Sequence, residues 1–350
     1  MSLLHCDSFD HYGGDTAQML LGIYAALPVG AVDLVTTHAR TGAHSLQLRG
    51  GAAVRRVMAV ATPIVGVGFV CWFDNLPSIP GRAYPIVFMD RAATPHIYVM
   101  VQTTGAIEVY LNGGALLGSS APVLTTGAWQ HIEARAKIDI ANGEVEVRVN
   151  GVTVFAISGV RTRTIFSAYD EVAQIAIQSE SGLSSCPYLI DDLFVWDSLG
   201  GANNDFLGDR RVMTDFPSQD TVIADWVKSA GVNGYALINE RPADDGATYL
   251  ESITYVAPGD QSAFDFTLLP PEVAAVSGII VLAKTLKTDA GPANARLSIL
   301  SGPAEGLGAD RTITQVWSYR ADVFELNPNT GAPWTRAEVN AAQIAIRRTL

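Results

Sequence analysis

The chain has 350 residues, of which 48% are hydrophobic and 17% charged, and its formal net charge is −12. This length accommodates two domains with separate cores, and the low share of charged residues argues against a disordered chain. Arginines and lysines form no cluster larger than a pair, so this acidic chain is not expected to bind nucleic acid through phosphate contacts.

Two segments bear on targeting and membrane insertion. The amino terminus, MSLLHCD, has no basic stretch followed by a long apolar core, so no signal peptide is predicted. Residues 57–73 form a long apolar run, but Pro63, Gly66 and Gly68 interrupt it. The run is therefore expected to form two buried strands joined by a turn, and no insertion into a membrane is expected.

Apolar and polar residues alternate with a period of two over much of residues 1–200, which predicts β-strands. The alternation is clearest at residues 129–156. There Val145, Val147 and Val149 fall on one face of a strand and charged residues on the other, with an Asn-Gly pair before and after. Asn-Gly favours the tight turns of hairpins, so this segment predicts an antiparallel meander with one face in water.

A change in composition divides the chain. Residues 197–212 are rich in Gly, Asn and Asp, and we interpret them as the boundary between a first domain, 1–200, and a second, smaller domain, 201–350. Beyond it, Thr335 and Glu338 have the spacing of a capping box and predict a short helix to about Ala342. No other long helical period is found, so the predicted fold is all-β.

The first domain resembles concanavalin A-like domains of the laminin G type. The resemblance rests on residues 129–131 (Trp-Gln-His), on the Asn-Gly hairpin at 144–156 and on the strand at 190–196. It implies a jelly-roll β-sandwich at the N-terminus, followed by the second β-rich domain with its short C-terminal helix.

Scattered segments of the second half resemble tailed-bacteriophage structural proteins. They are residues 206–212 (FLGDRRV), 239–250 (NERPADDGATYL) and 327–348, which begin NPNTGAPW. The resemblance implies a virion tail, tail-tip, fibre or decoration protein, assembled in the host cytoplasm. Its expected partners are other virion proteins and copies of itself, through the broad apolar contacts that obligate interfaces use.

The sequence lacks the common motifs for catalysis and cofactor binding. It contains no G-x-S-x-G nucleophile elbow, no phosphate-binding glycine loop and no pair of histidines at metal-ligating spacing. Cys6, Cys71 and Cys186 lie too far apart for a zinc motif and are expected to be buried or partly buried free thiols. His131 is expected to be a half-buried strand residue beside Trp129. We therefore predict no enzyme activity and no cofactor.

Asp191 and Asp192 are weak candidates for a calcium site. They lie within a predicted strand, where successive side chains point to opposite faces. Calcium takes several oxygen ligands from different segments, so these two residues would supply only part of its coordination shell. The alternative is a pair of solvated or hydrogen-bonded carboxylates.

Five tryptophans are candidates for stacking on sugar rings: Trp129, Trp196, Trp226, Trp317 and Trp334. The first two and Trp317 have strand positions that predict core or rim packing, and the two in loops are expected to pack on their own domain. The favoured function is a structural component of a tailed-phage virion. The alternative is a carbohydrate-binding adhesin that recognises host surface glycans through the jelly-roll loops.

Overall fold

The computed structural model describes residues 2–25, 32–77, 83–179, 187–253 and 260–350. The chain divides into two compact units, the first formed by Met1–Leu20 and Tyr24–Met213 and the second by Leu21–Ile23 and Thr214–Leu350. In the described ranges both units are built from strands, with one α-helix and three short 3-10 helices. The prediction of an all-β chain is confirmed.

The first unit is a sandwich of two antiparallel sheets. Its strands are β1 (Leu3–Asp7), β2 (Val32–Val35), β3 (Ser45–Leu48), β4 (Ala53–Thr62), β5 (Ile64–Phe73), β6 (Ala83–Met89), β7 (Pro95–Val101), β8 (Ala106–Leu111), β9 (Ala115–Pro122), β10 (Gln130–Lys137), β11 (Gly143–Val149), β12 (Val152–Val160), β13 (Val172–Ser179) and β14 (Tyr188–Asp197). Short 3-10 helices follow β1 at Asp10–Tyr12 and Thr16–Leu20.

The two sheets differ in size and in strand order. Among the described residues the larger has eight strands in the order β12-β11-β10-β5-β14-β3-β2, with β1 also paired to β14. The smaller has six strands in the order β4-β13-β6-β7-β8-β9. Every second side chain of β5, from Val65 to Phe73, is fully buried, as are Phe88 and Ile97 of the smaller sheet. The core lies between the sheets, and the other side chains of β5 lie on what we call the outer face of the larger sheet.

The apolar run at 57–73 forms two strands, as predicted, but they do not pair with each other. Strand β4 pairs with β13 in the smaller sheet, whereas β5 pairs with β10 and β14 in the larger one. Pro63 separates them, and since proline has no N–H it suits the point where the chain changes sheets. Strand β4 is only partly buried, with Val60 60% exposed. No helix in the described ranges is long and apolar enough to cross a membrane.

The predicted meander at residues 129–156 is confirmed. Strands β10, β11 and β12 pair antiparallel in sequence order. Val145, Val147 and Val149 are buried on one face. Asn150 and Gly151 both have positive φ, at 50° and 79°, which is the conformation that a two-residue hairpin turn requires.

The second unit also consists mainly of strands. They are β15 (Pro217–Ala224), β16 (Val227–Lys228), β17 (Leu250–Glu251), β18 (Gln261–Phe266), β19 (Ile279–Thr285), β20 (Asn294–Ser301), β21 (Ala304–Leu307), β22 (Arg311–Thr312), β23 (Ser318–Phe324) and β24 (Gln343–Arg348). A 3-10 helix at Tyr235–Leu237 and the helix α1 (Arg336–Asn340) complete it. Within the described ranges six strands form one sheet, in the order β15-β18-β24-β20-β21 with β22 paired to β20, and two further pairs are β16-β17 and β19-β23.

Helix α1 begins at the capping box that the sequence predicts. The backbone N–H of Glu338 donates to Thr335 Oγ1 (3.2 Å), and the N–H of Thr335 donates to Glu338 Oε2 (2.8 Å). The helix ends at Asn340, slightly before the predicted end. Trp334, just before it, is buried in the core of this unit and donates its Nε1–H to the Phe324 carbonyl (2.9 Å). Its predicted packing against its own domain is confirmed.

Residues 197–212, which the sequence predicts to be a boundary, pack against the first unit up to Met213. Although this segment is rich in polar residues, it is fixed to the sandwich, because buried carboxylates accept hydrogen bonds from its backbone N–H groups. Leu207 and Gly208 donate to Glu133, and Val212 donates to Asp192.

Two glycines on β5 allow aromatic rings to lie directly on the outer face of the larger sheet. Trp196 covers Gly66 and Phe194 covers Gly68, and a Cβ atom at either glycine would overlap the ring above it. Both rings are almost fully buried, so neither has room to move aside. The absence of side chains at these two positions is therefore a packing requirement.

Replacing Gly66 by alanine should lower the free energy of unfolding by about 1–3 kcal/mol, because the added methyl group overpacks the site under Trp196. Urea denaturation measures the change. Gly201→Ala is the matched control, since a Cβ at Gly201 meets no atom within 4 Å. A loss of stability of the same size in both variants would contradict the packing described for Trp196.

Candidate functional site

The eight-stranded sheet has a gap beside β14. Strand β3 pairs with β14 as far as Ile190, and β1 pairs with it from Leu193. Between these points the register shifts and Asp192 has a positive φ of 53°. Asp191 and Asp192 therefore do not point to opposite faces as the sequence predicts, because the irregular backbone at Asp192 breaks the alternation. Both carboxylates reach the loop that leads into β3.

Three buried carboxylates hold this loop, residues 40–44. Asp191 Oδ2 accepts the backbone N–H groups of Arg40 (2.8 Å) and Thr41 (3.1 Å). Asp192 Oδ2 accepts Thr41 Oγ1–H and Arg40 Nη1–H, both at 3.0 Å. Asp10 Oδ1 accepts the N–H groups at 43 (2.7 Å) and 44 (3.0 Å). The loop is thus fixed by hydrogen bonds to residues distant in sequence.

The remaining oxygens of the aspartate pair are also engaged. Asp191 Oδ1 accepts the N–H of Asp192, and Asp192 Oδ1 accepts the N–H of Val212, both at 2.7 Å. A calcium ion bound here would have to displace these donors. In the described part of the chain no three His, Cys, Asp or Glu side chains are grouped around a common point for a metal. Calcium binding stays a prediction.

Burial and the neighbouring charge raise the pKa values of the aspartate pair. Burial, together with the charge of Asp192, raises the pKa of Asp191 to about 7. Burial also raises the pKa of Asp192, against the opposing effect of its hydrogen bonds and of Arg40. The hydrogen bonds described above pair both carboxylates with N–H donors of the fold. This is the arrangement expected of carboxylates that stabilise the structure.

Just outside the anchored loop, three aromatic side chains meet at the surface. We call His38, Trp72 and Trp129 the aromatic cluster. The ring centroids of His38 and Trp72 are 4.5 Å apart with their planes tilted by 31°, and those of Trp72 and Trp129 are 5.9 Å apart at 62°. All three residues are half-buried. Trp72 Nε1–H donates to the exposed carboxylate of Asp74 (2.8 Å).

Local structure explains why these rings meet. Trp72 lies near the end of β5, and Trp129 immediately precedes β10, the neighbouring strand. Trp72 is on the outer face, because it alternates with the buried Cys71 and Phe73. His38 belongs to the segment between β2 and β3, close to the loop that the carboxylates hold. The cluster therefore combines two adjacent strand ends with one anchored loop, and leaves part of its ring surface in water.

The sequence identified only part of this cluster. Trp129 was a candidate, and its half-buried position agrees with the predicted rim packing. Trp72 and His38 were missed, although the alternation along β5 already separates Trp72 from the core positions. Trp196 is fully buried, but on the outer face, where its Nε1–H donates to Glu133 (3.1 Å).

The other candidates occupy varied positions. Trp226 is half-buried and donates to the Asp260 carbonyl (3.2 Å). Trp317 precedes β23 and does not belong to a strand, so its predicted strand position is wrong. Cys71 is buried and Cys6 half-buried, both as free thiols, while Cys186 lies outside the described residues.

His131 lies on the outer face of β10 and is fully buried rather than half-buried, with 2% of its surface exposed. Its ring stacks on Phe194 at 6.0 Å, and neither ring nitrogen has a hydrogen-bond partner in the described residues. The sequence does not predict this burial, because the residues that cover His131, such as Phe194, lie far from it along the chain. Burial lowers the pKa of His131 to about 4.

The buried His131 should make the protein sensitive to acid. The unfolded chain binds a proton near pH 6.5 whereas the folded chain resists it down to about pH 4. Stability from this group is present above pH 6.5 and falls by about 3 kcal/mol as the pH drops to 4. His131→Phe should abolish that part of the acid dependence.

Urea unfolding of wild type and His131→Phe at several pH values between 4 and 7 measures the difference between their slopes. The comparison cancels the contributions of carboxyl groups that the two proteins share. Parallel slopes would contradict a buried neutral imidazole.

Comparison with known proteins leaves the family open. No family model matches the chain, and no curated protein matches its sequence. Among solved structures, the "Cellulose induced protein, Cip1" is similar at 16% identity and a TM-score of 0.42, over 55% of this chain and 96% of that one. The carbohydrate-binding module CBM66 from Bacillus subtilis is similar at 8% identity and a TM-score of 0.31, over 51% and 97%.

A third similar structure is the binding domain of botulinum neurotoxin DC, solved in complex with rat synaptotagmin II. Its identity is 12% and its TM-score 0.33, over 90% of this chain and 92% of that one. At these identities and scores, the likeness assigns neither a ligand nor an activity to this chain.

Proposed function

We propose that this chain is a non-catalytic carbohydrate-binding protein and that the aromatic cluster is its sugar-binding surface. The observation that carries the proposal is the position of Trp72 and Trp129. The two indole rings have their centroids 5.9 Å apart at the surface, and both residues keep part of their surface in water. Partly exposed tryptophans are typical of recognition surfaces.

The chemistry of the cluster suits a sugar. An aromatic ring presents a flat apolar face to the C–H groups of a pyranose, while nearby polar groups can bond its hydroxyls. Asp74 provides an exposed carboxylate beside Trp72, and His38 provides ring nitrogens. The anchored loop at 40–44 helps to fix His38 before binding, which lowers the entropy lost when a ligand is held.

The angle between the indoles points to a compact ligand. Rings inclined at 62° form a corner, so they cannot lie together under one flat polymer chain. A corner fits a single sugar unit, such as a chain end or a branch, with one ring beneath it and the other at its edge. Host surface glycans of this kind are the ligands that we propose.

Trp72→Ala and Trp129→Ala should each reduce glycan binding by at least about tenfold, because each removes one wall of the corner. A glycan array, with and without calcium, finds the ligand, and calorimetry with the best glycan measures the affinity of each variant. Trp226→Ala in the second unit is the control and should bind as the wild type does.

Binding that is unchanged in both cluster variants, or no binding of any glycan at millimolar concentration, would remove the sugar-binding proposal. The calcium arm answers a separate question. Binding that requires calcium would support a metal at Asp191 and Asp192, whereas equal binding without it agrees with their hydrogen bonds to N–H groups.

We also propose that the chain works as a structural component of a tailed-phage virion. The support is the resemblance of residues 206–212, 239–250 and 327–348 to such proteins, together with exposed apolar side chains on the second unit. Val222 is 102% exposed on β15, at the edge of the sheet, and Val232 is 84% exposed. Apolar groups at an open sheet edge are typical of surfaces that are covered on assembly.

If the second unit mediates assembly, the purified protein should form a closed oligomer, and Val222→Asp should shift it toward the monomer. Light scattering after size-exclusion chromatography measures the mass. Leu199→Asp, at a 63% exposed position outside the strands of the first unit, is the matched control. A monomeric wild type at high concentration would count against self-assembly through this edge.

A further inference from the structure

Residues 205–213, which we call the strap, follow β14 and lie across the outer face of the eight-stranded sheet. Glu133 accepts the backbone N–H groups of Leu207 (2.8 Å) and Gly208 (3.0 Å). Arg40 donates to Asp209 (2.8 Å) and to the carbonyl of Arg210 (3.2 Å). The strap is therefore held mainly by polar contacts.

One apolar side chain of the strap enters the sheet surface. The ring of Phe206 meets the edge of Trp196, with centroids 5.8 Å apart at 69°. The guanidinium group of Arg148 lies over its face at 3.7 Å, and that of Arg135 lies at 5.3 Å. The Phe206 ring thus packs against one indole ring and two guanidinium groups.

The surface under the strap combines an aromatic ring with buried polar side chains. Trp196 is 0% exposed, Glu133 1% and His131 2%. Burial raises the pKa of Glu133, against the opposing effect of its hydrogen bonds from Leu207, Gly208 and Trp196. Both ring nitrogens of His131 lack a partner among the described residues. Buried polar groups usually have partners, and the imidazole of His131 is an exception on this face.

Two contacts of the strap, the packing on Trp196 and the hydrogen bonds to Glu133, are of kinds that a pyranose also makes. Phe206 contributes a flat six-membered ring between an indole and a guanidinium group. The next two residues direct two neighbouring N–H donors at one carboxylate, at 2.8 and 3.0 Å. Two adjacent hydroxyls of a sugar ring can donate to a carboxylate in the same way. The strap in this respect occupies the outer face as a sugar would.

We propose that the outer face beneath the strap is a second carbohydrate site, specific for a neutral sugar with adjacent hydroxyls, which the strap occupies until the sugar displaces it. The site is separate from the aromatic cluster and shares none of its residues. This second site rests on the proposed function only in that its ligand is also a carbohydrate. The side chains at 204, 205 and 209–211 are exposed, so solvent reaches both ends of the strap.

The proposal is tested in a Trp72→Ala background, which removes the aromatic cluster as a binding surface. The probes are cellohexaose, mannohexaose and laminarihexaose, measured by calorimetry. Adding Phe206→Ala should tighten the binding of at least one probe by about tenfold or more, because a weaker strap leaves a larger fraction of the site open. Leu199→Ala, at a 63% exposed position before the strap, is the control and should not tighten binding.

Glu133→Gln in the double variant should reverse the gain, since it removes the charge that accepts two hydroxyls. Hydrogen exchange on the wild-type protein provides a readout without mutation, because the probe that binds should speed exchange at Leu207, Gly208 and Val212. Unchanged affinity on adding Phe206→Ala, with unchanged exchange in the strap for all three probes, would overturn the proposal. The aromatic cluster is judged separately, by comparing wild type with Trp72→Ala.

Discussion

Much of the proposed sugar-binding surface depends on one constraint, the gap in the eight-stranded sheet between β1 and β3. Backbone groups at such a gap lose their partners in the ladder, and buried carboxylates need donors in turn. Asp191 and Asp192 satisfy both demands by accepting N–H groups from loop 40–44 and from Val212. The same pair therefore fixes the loop that follows His38 and one end of the strap.

The outer face of this sheet carries two groups of aromatic side chains that differ in how far they are buried. At one end Trp72 and Trp129 remain partly in water, and at the other Trp196 is closed off by the strap. The glycines of β5 make the second arrangement possible, since they let the rings lie directly on the backbone. This combination of aromatic rings, carboxylates and guanidinium groups on one sheet face is the basis of the proposed sugar-binding sites.

Much of the architecture could be predicted because it depends on local patterns. The alternation of valines at 145–149, the tight turn at Asn150 and Gly151 and the capping box at Thr335 each act within a few residues, and the structure contains all three. The other Asn-Gly pair forms no two-residue turn, because the loop 138–142 joins β10 to β11 and Gly143 already belongs to β11. The error at Asp191 and Asp192 arose where the local rule fails, because a positive φ at Asp192 turns its side chain to the same loop. The burial of His131 was missed for a related reason, since its cover lies far from it in sequence.

The amino-acid sequence alone determined that this protein is built from strands, that Val145, Val147 and Val149 share one face of a meander, and where its helix begins. These features follow from side-chain periodicity and backbone preference, which operate over a few residues. Only the tertiary structure decided that β4 and β5 join different sheets, that His38 meets Trp72, and that a polar segment becomes a strap. Those outcomes depend on hydrogen bonds and ring contacts between residues far apart in the chain, which no local pattern encodes.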